Sequence, residues 1–190
     1  MKKIFVLLGH PDEDSFNCTL ANEYERGATE VGHEVRRMNL GDMIFDPILH
    51  HGYRTIQELE PDLIAFQENV RWCDHFVIFY PSWWSTMPAL LKGLFDRVWL
   101  PGFAFRFKGD FRWQKLLKGK SATMIVTSDT IPLAQRLIFG DTTNELRKGI
   151  LWFAGFGPIR VYKFGYLKHF GIRRRQQLQK SLHNFGKKGK

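Results

Sequence analysis

Short apolar runs separated by amphipathic stretches constrain this chain more than any other feature. Ile4 to Leu8 is apolar at every position, with two lysines before it and Gly9-His10-Pro11 after it. His75 to Tyr80 repeats the pattern and stops at Pro81. Runs with no polar alternation read as strands buried on both faces of a parallel sheet. Ser121 to Thr127 and Pro158 to Phe164 read as two more strands, and Glu34 to Leu40 as a half-exposed one. Between them lie helical patterns: a stretch capped by Ser15 and stopped near Gly32, then Pro61 to Trp72, Pro88 to Trp99, and a closing Ile172 to Phe185. Asp42 to Glu60 is a mixed, loop-rich segment. Strands alternating with helices define an α/β fold with both sheet faces covered. Five strands suit the order 2-1-3-4-5, which places ligands at the carboxyl ends of the strands.

No linker or repeat divides the 190 residues, so a single domain over 1–190 is expected. The formal charge is +9, and seven cations from Arg173 to Lys190 account for most of it. That end reads as a basic, solvated or frayed C-terminal tail from about residue 173, not a nucleic-acid site. Two cysteines, Cys18 and Cys73, have no metal-ligand or CxxC spacing, which favours a reducing, cytoplasmic setting. The N-terminal apolar run is too short for a signal peptide, and no run is long enough to span a membrane. His50-His51 reads as surface, and no metal site is expected.

Three loops follow the first, third and fourth strands, and chemistry is expected in them. Gly9 to Asn17 joins strand to helix, where free N–H groups and the helix dipole favour an anion. It lacks both the GxxxxGK[ST] and the GxGxxG patterns, so a plain capped turn is the competing reading. Pro81 to Met87 holds the adjacent Trp83 and Trp84, which cannot both enter one core; one could wall a planar ligand.

The two segments together carry a resemblance. GHPxxxSFN after the first strand and YPxxWxxxPALLKGxFDRV after the third resemble the NAD(P)H:quinone oxidoreductase family of flavodoxin-like flavoproteins. Gly102 to Phe105 resembles that family's GFAF turn. The resemblance implies a flavodoxin-like fold and a bound flavin, FAD or FMN, with the Ser-Phe-Asn run leaning to FAD. It implies His10, Ser15, Phe16 and Asn17 on the phosphates, and Pro81, Ser82, Trp83 and Trp84 along the ring. It implies NAD(P)H as electron donor, a quinone-like acceptor and a homodimer, with Phe103 and Phe105 reaching the boundary.

The chain departs from the family at Thr127-Ser128-Asp129-Thr130, where a glycine-bearing TTGG-like turn is usual. Thr127, Ser128 and Asp129 should still edge the ring, but Asp129 would be unfavourable pointing inward. The family's proton-donating Tyr and His have no evident counterpart, so no catalytic residue is named. The alternative within the family is a flavin-bearing ancillary subunit of a potassium-efflux-type membrane system. A one-electron flavodoxin carrier fits less well, since such carriers are typically acidic.

Overall fold

The structure, a computed structural model, describes residues 1–110 and 112–190. Strands β1 (Lys3–Leu8), β2 (Glu34–Asn39), β3 (His75–Pro81), β6 (Ser121–Thr127) and β7 (Ile159–Phe164) form one parallel sheet in the order β2-β1-β3-β6-β7. In chain order these are strands 2-1-3-4-5 of the expected sheet. β4 (Phe105–Phe107) and β5 (Trp113–Lys115) form a separate antiparallel hairpin that hydrophobic patterning did not single out.

Side chains alternate across each strand, so a continuous apolar run feeds two cores. Phe5, Leu7, Phe76, Ile78 and Tyr80 face α2 (Pro61–Trp72) and α3 (Ala89–Val98). Ile4, Val6, Leu8, Val77 and Phe79 face α1 (Phe16–Glu30) and α5 (Ile172–Lys187). β3 is buried at all seven positions because it is the central strand. Neither edge strand, β2 nor β7, has a fully buried residue.

Two expectations are corrected. The basic C-terminus does not fray: from Arg173 to Lys187 it is helix, and α5 lies against α1 with Leu178, Leu182 and Gly186 buried. The contact is so close that a Cβ on Gly27 would fall 2.0 Å from the His183 carbonyl oxygen, and one on Gly186 2.0 Å from that of Tyr24. Leucines four apart supplied the adhesive face, and the cations occupy the opposite one. The second correction concerns the aromatics after α3. Trp99 is 7% and Phe103 5% exposed, packed edge to face at 5.6 Å, and Phe105 packs onto the same core. They fill the interior instead of a boundary.

The loop-rich segment is held by Arg97, 1% exposed, whose guanidinium bonds Glu60 (2.9 Å), the Glu58 carbonyl (2.7 Å) and the Asp46 carbonyl. His50 lies exposed and pairs with Asp46 at 2.6 Å. No described helix is long and apolar enough to cross a membrane. Among the described residues no cluster has the makings of a metal site.

Candidate functional site

The loops after β1, β3 and β6 meet at one end of the sheet. Gly9 N–H donates to the Phe79 carbonyl at 2.7 Å, keeping the first loop beside β3. Asp12 turns that loop: its backbone N–H donates to His10 Nδ1 (3.0 Å) and its carboxylate accepts from Asp14 N–H (2.9 Å). Asp12, Glu13 and Asp14 all lie exposed, so their charges face water. Ser15 caps α1 and accepts from Cys18 N–H at 3.3 Å. The N–H groups of Phe16 and Asn17 then open the helix without an intrahelical acceptor, an arrangement suited to an anion. The Asn17 side chain is committed elsewhere. It is 5% exposed, and its amide donates to Thr127 Oγ1 at 2.8 Å.

The second loop is a two-residue turn. Trp83 and Thr86 exchange backbone hydrogen bonds of 2.9 and 3.1 Å, and Trp84 and Ser85 between them have φ of 49° and 65°. Positive φ at both central positions is the mirror-image turn that normally recruits Asn and Gly. Holding two L-residues there costs about 1–2 kcal/mol each. The turn leaves Trp84 wholly exposed and Trp83 44% exposed. Trp83 meets His10 edge to face at 5.4 Å, which joins the first two loops. Thr86 donates to Glu145 at 2.6 Å and anchors the turn to the π-helical segment Glu145–Trp152.

The third loop turns without the missing glycines. Ser128 N–H donates to the Phe164 carbonyl, and the glycine is supplied by the neighbouring strand end. A Cβ on Gly165 would sit 2.2 Å from the Thr130 carbonyl oxygen. Asp129 lies exposed on the rim, where its carboxylate accepts from Lys168 N–H at 3.2 Å.

These loops enclose a cavity of about 740 Å³ lined by Pro81, Ser82, Trp83, Trp84 and Thr127 to Thr130, with Leu167 and Lys168 from beyond β7. Every residue expected along the ring lines this cavity. Of the phosphate group, His10 reaches it through Trp83 and Asn17 through Thr127, while Phe16 lies 4.9 Å under the Arg175 guanidinium.

Three contributors were not anticipated. Lys168 and Leu167 follow a strand end, and the strand-end rule could have flagged them. Gln135, buried on α4 (Pro132–Phe139), donates to Ser82 Oγ at 3.0 Å, and nothing in the sequence marks it.

Two ionisable groups elsewhere on this side of the sheet have shifted pKa values. Burial, reinforced by Glu145 and Asp141, pushes the Tyr80 phenol well above its ordinary value, so it stays neutral. Asp141 is pulled both ways: burial pushes its carboxyl up, but hydrogen bonds from Thr143 (2.7 Å) and Lys163 (3.0 Å) prevail and hold it at about 2.

A doubly wound parallel sheet with an anion-ready helix start beside an aromatic-walled cavity defines a protein that holds a flat, phosphate-bearing ligand at its strand ends. The chain belongs to the family described as flavodoxin-like fold, whose pattern matches residues 2–188. It is 31% identical over 180 residues to the ribosyldihydronicotinamide dehydrogenase (quinone) of Homo sapiens, covering 82% of this chain and 78% of that one. NAD(P)H dehydrogenase (quinone) 1 of Rattus norvegicus is 26% identical over 201 residues, covering 87% and 70%. The crystal structure of Smu.1420 from Streptococcus mutans superposes with a TM-score of 0.84 at 27% identity, covering 98% of this chain and 99% of that one.

Proposed function

We propose that this protein is a flavin-dependent NAD(P)H dehydrogenase that passes two electrons to a quinone-like acceptor. One observation carries the reading: the helix start that suits a phosphate and the cavity that suits a flat ring are joined by the His10–Trp83 contact. A flavin has those two parts in that order. The cavity volume lies within the range of small-molecule sites.

In this reading the N–H groups of Phe16 and Asn17 hold phosphate, and Trp83 and Trp84 wall the ring. Ser82, Ser128 and the backbone of Asp129 offer polar groups to its edge. Bound flavin would supply the hydride acceptance and two-electron release that no side chain here provides. A ring held by Pro81, Ser82, Trp83 and Thr127 would meet donor and acceptor in turn from the solvent side of the cavity. Trp84, free of any packing role, shapes that open side. FAD is favoured over FMN on the Ser15-Phe16-Asn17 run that opens α1. The free thiols of Cys18 and Cys73 agree with a reducing cytoplasm.

A homodimer belongs to the proposal, on new grounds. The aromatics around Trp99 are interior, but α4 presents Leu133, Leu137, Ile138 and Phe139 to solvent at 61–78% exposure. α4 touches the cavity through Gln135 and Ser82, so a second copy on it would lie against the site.

Purified protein should show an oxidised-flavin spectrum that NADH or NADPH bleaches and a quinone restores. Heat release should yield FAD. Double-reciprocal plots should be parallel, as expected when donor and acceptor use one face in turn. No flavin uptake, or no bleaching by either donor, would reject the assignment.

A further inference from the structure

Four residues with hydroxyl groups line the strand-end cavity: Ser82, Thr127, Ser128 and Thr130. A hydroxyl has one proton to donate and two lone pairs, so what it offers a ligand depends on where that proton goes. Thr127 is closed on Asn17, accepting from its amide at 2.8 Å and donating to its side-chain oxygen at 3.2 Å. Ser128 Oγ donates to the Thr130 carbonyl at 2.9 Å. Thr130 itself lies exposed on the rim. Thr86, at the far end of the Trp83–Trp84 turn, has given its proton to Glu145 at 2.6 Å.

Ser82 differs from all of these. It is half-buried, and its Oγ accepts from Gln135 Nε2 at 3.0 Å. Among the described residues no acceptor takes its own proton. With one lone pair filled by a fixed N–H, the proton is kept out of that direction and left for the cavity.

Both partners are held in place. The Ser82 N–H donates to the Thr127 carbonyl at 2.7 Å, which fixes its backbone at the ends of β3 and β6. Gln135 is 6% exposed, and its N–H donates to the Ile131 carbonyl at 3.0 Å. The helix that carries it starts against β7: a Cβ on Gly165 would fall 2.4 Å from Pro132 Cδ. A buried side-chain amide keeps its partner, since leaving it unpaired is costly.

A ring that accepts electrons gains negative charge along its oxygen and nitrogen edge. A fixed donor stabilises that form more than the uncharged one. We propose that Gln135 is a positioning residue: by occupying a lone pair of Ser82 it makes that hydroxyl a hydrogen-bond donor to the ring in the cavity, and so favours the ring's reduced form. The hydroxyl keeps its proton throughout; only the strength of its hydrogen bond changes. The inference rests on the reading of this cavity as a flavin site.

The test is the midpoint potential of flavin bound to the whole protein, measured by anaerobic reduction with dithionite against a reference dye. Flavin affinity and apoprotein Tm are measured beside it. Ser82→Ala should weaken the hold on reduced relative to oxidised flavin by about tenfold, which lowers the potential of a two-electron couple by about 30 mV. Ser82→Thr keeps the hydroxyl and should keep the wild-type potential. Gln135→Met, similar in size but without a donor, should shift the potential in the same direction as Ser82→Ala by a smaller amount. In the Ser82→Ala background Gln135→Met should add nothing, because Gln135 acts through that hydroxyl. Should Gln135→Met fold poorly, Gln135→Glu replaces it: its carboxylate takes the Ser82 proton and should lower the potential at least as far as Ser82→Ala. A purely structural role would lower Tm and the affinity for both forms of flavin alike, leaving the potential in place. An unchanged potential in Ser82→Ala, a rise with Gln135→Met, or additive shifts in the double variant would overturn the proposal. Failure to take up any flavin would reject this inference and the functional reading together, whereas flavin bound at an unaltered potential in the variants would reject this inference alone.

Discussion

Asn17 donates from its side-chain amide to the hydroxyl of Thr127 at 2.8 Å, across 110 residues of sequence. The bond ties the start of α1 to the end of β6, so the first and third loops are braced by one buried pair. A residue that motif reading assigns to a ligand is therefore a structural strut through its side chain.

The two polar residues of this loop should separate on mutation. Asn17→Ala leaves the Thr127 hydroxyl buried without its partner, so the flavin-free protein should lose about 1–3 kcal/mol as well as flavin affinity. Ser15→Ala removes a helix cap and should cost about 1 kcal/mol. Denaturant melts of apoprotein, set beside flavin titrations, check both. An Asn17→Ala apoprotein as stable as wild type would contradict the strut.

The Trp84-Ser85 turn should respond to glycine. Ser85→Gly relieves a positive φ of 65°, and should stabilise the protein by about 1 kcal/mol, less glycine's entropic cost. At this chain length that raises Tm by about 2–4 °C. Trp84→Gly should relieve similar strain yet impair flavin retention or acceptor turnover. A drop in Tm for Ser85→Gly would show that the turn is not strained.

Acid should act through His75. It is fully buried on β3, with Nδ1 2.7 Å from Ser121 Oγ. Burial above all, then the positive charge of Lys2, lowers its pKa from 6.5 to about 4. The unfolded chain therefore takes up this proton first as pH falls. The stability from keeping His75 neutral is fully present above pH 6.5 and lost progressively toward pH 4, at no more than about 1.4 kcal/mol per pH unit. His75→Gln should flatten the stability profile in that window. An unchanged slope would place the proton uptake elsewhere.

The α4 surface should govern assembly. Wild-type protein is expected to sediment as a pair of chains at micromolar concentration. Leu137→Glu with Ile138→Glu places charges on the exposed apolar face and should yield a monomer that remains folded. Wild-type protein that is monomeric throughout would remove the homodimer.

The sequence alone determined the sheet, its order, the four helices α1, α2, α3 and α5, and the three loops that line the candidate cavity, but neither α4 nor the π-helical segment. Those features are local: an apolar run such as Ile4 to Leu8 has only one stable place, and a cap such as Ser15 starts its helix wherever the chain goes. Lys168 and Gln135 joined the site only through tertiary structure, because residues that follow a strand end or a helix turn acquire roles from neighbours far along the chain. The same holds for Gly165, which takes the place of the absent glycines by letting Thr130 approach, and for Asp129, whose carboxylate is engaged by Lys168 N–H at the cavity rim. The aromatics after α3 were counted correctly but placed wrongly, since composition records how many rings exist and only packing decides whether they face the core. The basic C-terminus was read from its charges, while its fate was settled by Gly27 and Gly186, whose missing side chains let α5 close on α1. Periodicity and caps act over a few residues and are written in the chain; contacts between distant residues depend on which surfaces the fold brings within a few ångströms.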